Sequence, residues 1–478
     1  MTVAEQSVRP AAKIAPFTWD DIADIEDWRE RLAWPVSMAE MRALGERVAE
    51  RKLSVVLSLD DELERQIATV AAGRIVNGFL ALAEAALVVQ GEARQGIAVL
   101  GGPPELEALR DGGEGAVLAD RHRGKGVFDV SPPRHARLRT IARAHSWTPL
   151  SALPATLLVP RATAISHNAL LRRQAAKSHR ITFHHAASIV AKTRVRSRGT
   201  MLHEHDDLVD RLVAPLMAEA AAIVSPWRER FQVMLLARLR PTVAQIAVDV
   251  RALRDARRLP ENIWTGTNGA YTNRLVSAEV RRRGGEVTGF DHGGVTGISQ
   301  VLAITAMTEL MTASRFYLGT AAWAEILGAS GVAEMIAPLS MPELIGAEGD
   351  PTFVAACLDT KPAAARRRVV YVGHPYRGLR QFAIAGTPDV IYWDMQSRVA
   401  QALRTMAVDV VCKPHPEGAF VGRRNPIEDI APTSYKRFEE HLSDTDVFVF
   451  DAPTSTTFAE AMCTNRPVVL IDRGHYPF

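Results

Sequence analysis

The 478-residue sequence predicts an α/β protein with two Rossmann-like halves facing across a cleft and a helix-rich N-terminal portion. Three observations carry this. From residue 261 onward, short runs of β-branched and aromatic residues without alternation recur between helix-patterned stretches, as expected of buried parallel strands with helical crossovers. Each run stops in a polar or glycine-bearing loop. Residues 337–365, with Pro, Ala and weak periodicity, read as the connection between halves. The expected division is a helix-rich region over 1–95, a first Rossmann-like half over 96–345 and a second over 366–478.

Taken in order, residues 1–15 read as a loose tail and 20–49 as helix. Residues 53–59 read as a strand, 60–90 as a long Ala-rich helix or helix pair, and 96–100 as a strand ending in Gly101-Gly102-Pro103-Pro104. That Gly-Gly turn lacks G-x-G-x-x-G spacing and reads as a plain turn. Further strand and helix are expected at 155–160 and from Ser166, a cap residue. His184-His185 and His203-Glu204-His205 have neither helix spacing nor a Cys/His pattern for zinc. Residues 206–223 read as an amphipathic helix, and 231–239 as another apolar element.

The pattern then sharpens. Strand 262–265, helix 271–283 closed by Gly284-Gly285, and strand 286–290 make a βαβ unit. A helix over 299–312 leads to strand 315–318. In the second half, strand 368–372 ends in Gly373-His374-Pro375-Tyr376-Arg377-Gly378. Helix 392–406 leads to strand 408–412, which ends in Lys413-Pro414-His415-Pro416. Strand 446–450 ends in Asp451-Ala452-Pro453-Thr454-Ser455-Thr456-Thr457 before a further helix. Ligands of open α/β sheets sit outside the carboxyl ends of the strands, and helix N-termini favour anions. Two neighbouring strand ends, one with His415 and the other with a hydroxyl cluster, therefore predict a phosphate or diphosphate pocket.

The bulk numbers exclude some classes. A net charge of +3 does not indicate nucleic acid. Residues 121–200 carry 16 Lys/Arg against one acid, which fits either an anionic membrane surface or phosphorylated substrate, or a solvated face. Cys357, Cys412 and Cys463 are widely spaced, so a reducing compartment is expected. No signal segment or long uncharged apolar window is evident, and the expected location is the cytoplasm, at most on the inner face of the membrane.

The four landmarks Asp291-His292-Gly293-Gly294, Gly373-His374-Pro375-Tyr376-Arg377, Lys413-Pro414-His415-Pro416 and the 451–457 loop resemble the CDP-glycerol glycerophosphotransferases of bacteria. That family shares the two-Rossmann GT-B architecture. Capsule-type transferases using CMP-activated acidic sugars are similar at greater distance. The resemblance spans residues 261–478. It implies that His415, Ser455 and Thr456 hold donor phosphates, that Arg377 assists from the first strand of the donor half, and that His292 is the acceptor-side base. The loop departs from the family pattern in Val295-Thr296-Gly297 and in the hydroxyl run, which leaves the transferred group open.

The chemistry also follows from residue types. A departing phosphate needs charge stabilisation, which Lys413, His415, Arg377, Thr454, Ser455 and Thr456 can supply, and a hydroxyl acceptor needs a near-neutral base such as His292. Glu460 is expected on a donor ribose, or simply favourable in the first turn of its helix. No Asp-x-Asp ends a strand, so neither metal nor cofactor is expected; the expected partners are a CMP-, CDP- or UDP-linked donor and a glycan or lipid-linked acceptor. A nucleotide-sugar 2-epimerase on the same scaffold is the alternative. An inactive binding protein is a second one, since the chain stops at Phe478 where such a half normally continues.

Overall fold

The computed structural model describes residues 12–111, 162–178, 181–194, 204–293, 296, 302–337, 339–357, 367–376, 388–416, 420, 423–453 and 455–471. Arg377, Thr454, the expected strand at 155–160 and most of the basic block at 121–200 lie outside these residues.

Twelve strands are described, in three parallel sheets. The larger sheet holds β3 (Ala162–Ala164), β4 (Ile181–Phe183), β5 (Asn262–Thr265), β6 (Glu286–Phe290), β7 (Arg315–Leu318) and β8 (Glu343–Gly346), ordered β4-β3-β5-β6-β7-β8. A four-stranded sheet holds β9 (Arg368–Val372), β10 (Asp409–Lys413), β11 (Val447–Phe450) and β12 (Val468–Leu470), ordered β10-β9-β11-β12. In both, the first strand lies inside the sheet and the strand order reverses across it. The switch points therefore fall between β3 and β5 and between β9 and β11. Such points open a crevice at the carboxyl ends of strands.

Two long helices, α2 (Met38–Leu57) and α3 (Glu62–Gln95), begin at side-chain caps: Ser37 accepts from the Glu40 N–H at 3.4 Å and Asp61 from the Glu64 N–H at 2.7 Å. Gly96, at φ 65°, ends α3 in the left-handed conformation that glycine adopts without a Cβ penalty. The strand expected at 53–59 is instead the last turn and a half of α2. Its buried apolar residues, Leu53, Val56 and Leu59, are three apart, so helical spacing of the apolar residues outweighs the β-branching of the stretch. The α3 helix is long and apolar enough to cross a membrane, yet 72% of its most apolar window is buried inside the fold. One core joins these helices and α6 (Arg228–Arg254) to Ile263, Val287 and Phe316 of the larger sheet.

Of the tail expected over 1–15, residues 1–11 lie outside the described residues; 12–15 are not loose, and 20–49 is not a single helix. From residue 12 the segment runs as β1 (Ile14–Pro16), paired in parallel with β2 (Ala98–Leu100), then a short turn of helix and α1 (Trp28–Arg31). It packs against α9 (Asp389–Arg404): the Trp19 and Trp28 rings lie 4.0 and 5.2 Å from Trp393. Arg29 places its guanidinium 4.6 Å from the Trp393 ring and 3.3 Å from Asp394. Aromatic burial and a cation over an aromatic face explain why so short a segment holds its position. The stretch read as a plain connection contains β8 and α8 (Pro351–Cys357), which packs on both α4 (Ala169–Ser178) and α10 (Thr456–Met462).

Candidate functional site

The second sheet builds its site at the ends of β9 and β10. These strands are in register, Val372 opposite Lys413, and the Gly373 N–H continues the ladder by donating to Lys413 O at 3.1 Å. Two residues past each strand end stands a histidine followed by proline: His374-Pro375 and His415-Pro416. The register therefore sets the two rings side by side, with centroids 6.5 Å apart and planes 27° from parallel. Both rings line a cleft of about 270 Å³, together with Lys413, Arg423, Asn425, Gln396, Tyr376 and Tyr435. Lys413 is buried, which lowers its pKa, while Glu439 and Glu440 nearby act in the other direction.

Beneath the cleft is a buried polar network. Asp451, fully buried at the end of β11, accepts from Tyr371 at 2.6 Å and from Tyr392 at 2.9 Å. Tyr376 donates to Gln396 at 2.6 Å. The Tyr392 hydroxyl also accepts from the His374 backbone N–H and lies 3.0 Å from the His374 carbonyl oxygen. A Cβ at Gly373 would stand 2.4 Å from the Gln396 amide nitrogen, so only glycine fits there. Burial pushes the Tyr371 and Tyr376 hydroxyls well above their usual range, so both stay protonated donors.

The hydroxyl loop lies elsewhere. Because β9 separates β10 from β11, His415 and Ser455 do not end neighbouring strands, as their order along the chain predicts. The intervening crossover places β11 on the far side of β9, and His374, not the hydroxyl cluster, is the neighbour of His415. Ser455 caps α10, accepting from the Phe458 N–H at 3.1 Å, and lies 3.0 Å from the Thr457 hydroxyl. Thr456 instead meets the first half of the chain: its hydroxyl is 2.9 Å from where a Cβ on Gly293 would stand. Gly293 has φ 94° and follows His292, which is exposed at the end of β6.

Around this seam are three carboxyl groups. Asp291 is 4% exposed with no hydrogen-bond partner on Oδ2; burial raises its pKa to about 6, with Asp350 adding to the shift. Glu460 is 3% exposed with no partner on Oε1; burial raises its pKa to about 8, and Glu439 and Asp350 push the same way. Asp350 itself accepts from the Thr352 N–H at 2.8 Å at the start of α8. Glu460 is thus a protonated, buried acid at neutral pH rather than an exposed first-turn charge.

Near the switch point of the larger sheet, Asn168 ties the ends of β5 and β6 together: its amide nitrogen is 2.9, 3.0 and 2.8 Å from the carbonyl oxygens of Gly266, Phe290 and Asp291. Asn168 also accepts from the Leu171 N–H at 2.8 Å and so caps α4, the role expected of Ser166. Ser166 accepts instead from the Gly266 N–H at 2.9 Å. The loop after β5 is filled from within. Glu309 accepts from the Thr267 hydroxyl and the Asn268 N–H, each at 2.8 Å, and from the Gly269 N–H at 3.1 Å.

The structure therefore brings Lys413 and His415 together in one cleft, and brings Thr456 to the loop that carries His292. His374, Tyr392, Gln396, Asp451 and Asp291 are the residues that sequence patterning leaves without a role. The repeated His-Pro two residues past adjacent strands is the signal that points to His374. No protein-family model, no curated protein and no solved structure matches this chain.

Proposed function

We propose that this chain is a GT-B-type transferase that moves a group from a nucleotide-activated donor to a hydroxyl acceptor in surface polysaccharide or glycan synthesis. The observation that carries the reading is the cleft at the ends of β9 and β10, where Lys413, His415 and Arg423 line a volume of about 270 Å³. Cationic and N–H donors at parallel-strand ends suit the phosphates of a leaving nucleotide. As the acceptor oxygen attacks, the bond to the phosphate oxygen breaks, and Lys413 and His415 stabilise the charge left on it. The acceptor's proton passes to His292, exposed on the loop after β6. Glu460, expected on a donor ribose, is a buried acid on the helix that carries Thr456 and does not line this cleft, so it is left out of the donor site.

Titration calorimetry with CMP-, CDP- and UDP-linked donors tests this. One of them is expected to bind wild type, and His415→Ala is expected to lower transfer by about 10²–10³-fold. Absence of binding by all three, or equal turnover by the variant, would remove the reading.

The raised pKa values of Asp291 and Glu460 favour one other reading, a nucleotide-sugar 2-epimerase, since proton shuttling uses carboxyl groups that are protonated near neutrality. A UDP-sugar incubated with the protein and no acceptor separates the two by NMR. A second epimer appears only with the isomerase.

A further inference from the structure

We infer that His374 is a second phosphate ligand, and that His374 and His415 together grip one phosphoryl group across the ends of two adjacent strands. The inference rests on the proposed donor site and adds a residue to it. Four observations carry it. The strands that bear the two histidines are in register, and each histidine stands two residues past its strand. The rings are near parallel with centroids 6.5 Å apart. That spacing lets a single tetrahedral anion, accepting bonds of about 2.7–2.9 Å on separate oxygens, bridge their N–H edges. Both rings line the same cleft as Lys413 and Arg423.

The fourth observation is the bracing of the His374 backbone. The Tyr392 hydroxyl accepts from its N–H and lies 3.0 Å from its carbonyl oxygen, and Asp451 holds that hydroxyl at 2.9 Å. A loop residue that only turns the chain does not need its N–H held by a buried hydroxyl. Tyr392 and Asp451 are positioning residues in this arrangement: they act on the ligand through His374. The arrangement resembles a preorganised anion site, in which donors are held at their working geometry before the ligand arrives.

The test is calorimetric titration of inorganic pyrophosphate into the full chain as wild type, His374→Ala, His374→Gln, His415→Ala and the double Ala variant. Each single Ala change is expected to weaken binding by about 10- to 100-fold, the cost of a hydrogen bond to a charged group. His374→Gln keeps an N–H donor and is expected to recover part of the loss, which a purely structural role would not allow. The double variant is expected to lose less than the product of the two single losses, because both rings hold one ligand. If His374→Ala binds pyrophosphate as wild type does while His415→Ala does not, this inference is overturned and the donor site stands. If wild type binds neither pyrophosphate nor CMP, CDP or UDP, the donor site falls and this inference with it. A crystal of wild type grown with pyrophosphate gives the answer without any variant: a phosphoryl group bonded to both rings supports the pair, and one bonded to His415 alone overturns it.

Discussion

At the residue scale, a buried acid and two tyrosines organise the site: Asp451, at the head of the hydroxyl loop, with Tyr371 and Tyr392. Asp451 stands between a buried strand and a hydroxyl-rich loop, where an aspartate capping its own loop is the ordinary expectation. Only the sheet order, which sets β9 beside β11, shows that its partners are Tyr371 and Tyr392 from 80 and 59 residues away. His415 and Lys413 were legible because Lys-Pro-His-Pro follows an apolar run. His374 stood in the landmark Gly373-His374-Pro375-Tyr376-Arg377, whose expected ligand was Arg377, and the strand register is what places His374 beside His415. Removing Asp451 leaves two buried hydroxyl donors without that acceptor. Asp451→Ala is expected to lower the unfolding free energy in urea by on the order of 1–3 kcal/mol per orphaned donor. A change within about 0.5 kcal/mol would place the variant among ordinary surface substitutions and deny the network its role.

At the element scale, the strands from residue 262 to 318 and at 368–372 begin and end where the apolar runs do, since a strand buried on both faces has to be apolar throughout. The N-terminal part was harder to read. Apolar residues of α2 mimic a strand over 53–59, and β8 and α8, four and seven residues long, are too short to show a period. The α3 helix hides a carboxyl group: burial raises the Glu84 pKa from 4.5 to about 8. A carboxyl raised in the folded state gives stability that is full below its unfolded pKa and is lost as pH rises through the folded one. The window is therefore 4.5 to about 8. Glu84→Gln is expected to gain on wild type across that window, read as the difference in urea midpoints, with no further gain above it. Lys52 on α2, lowered by burial to about 7, has the opposite slope between there and 10.5, so the comparison needs the variant and not wild type alone. The segment over 14–31 gives a second prediction. Trp393→Ala takes away the ring on which Trp19, Trp28 and Arg29 converge and is expected to cost about 3–5 kcal/mol. Amide exchange in residues 14–31 is expected to quicken ahead of exchange in β9 and β10; uniform acceleration would show that the segment is not held by this contact.

At the scale of the whole molecule, two sheets each reverse strand order at their first strand, and the cleft of the second lies at the ends of β9 and β10, beside its switch point. In the larger sheet Asn168 closes the strand ends and Glu309 fills the loop after β5 from inside, so donors that a ligand phosphate would use are already satisfied. The other sheet offers Lys413, His374 and His415 to a cleft. On the proposed function, the nucleotide belongs to the second half and the loop with His292 to the first. The two meet at Gly293 and Thr456, and that contact is where the proposed transfer is most exposed to test. Gly293→Ala puts a Cβ 2.9 Å from the Thr456 hydroxyl oxygen at φ 94°, a conformation that costs an L-residue about 1–2 kcal/mol. Relief requires the His292 loop to shift away from Thr456. Nucleotide affinity is expected to hold within about twofold, because the cleft at β9 and β10 is untouched, whereas kcat is expected to fall by at least about tenfold as the base is misplaced. A variant that loses nucleotide affinity and keeps kcat would put the nucleotide at the seam and overturn the division of labour between the two sheets.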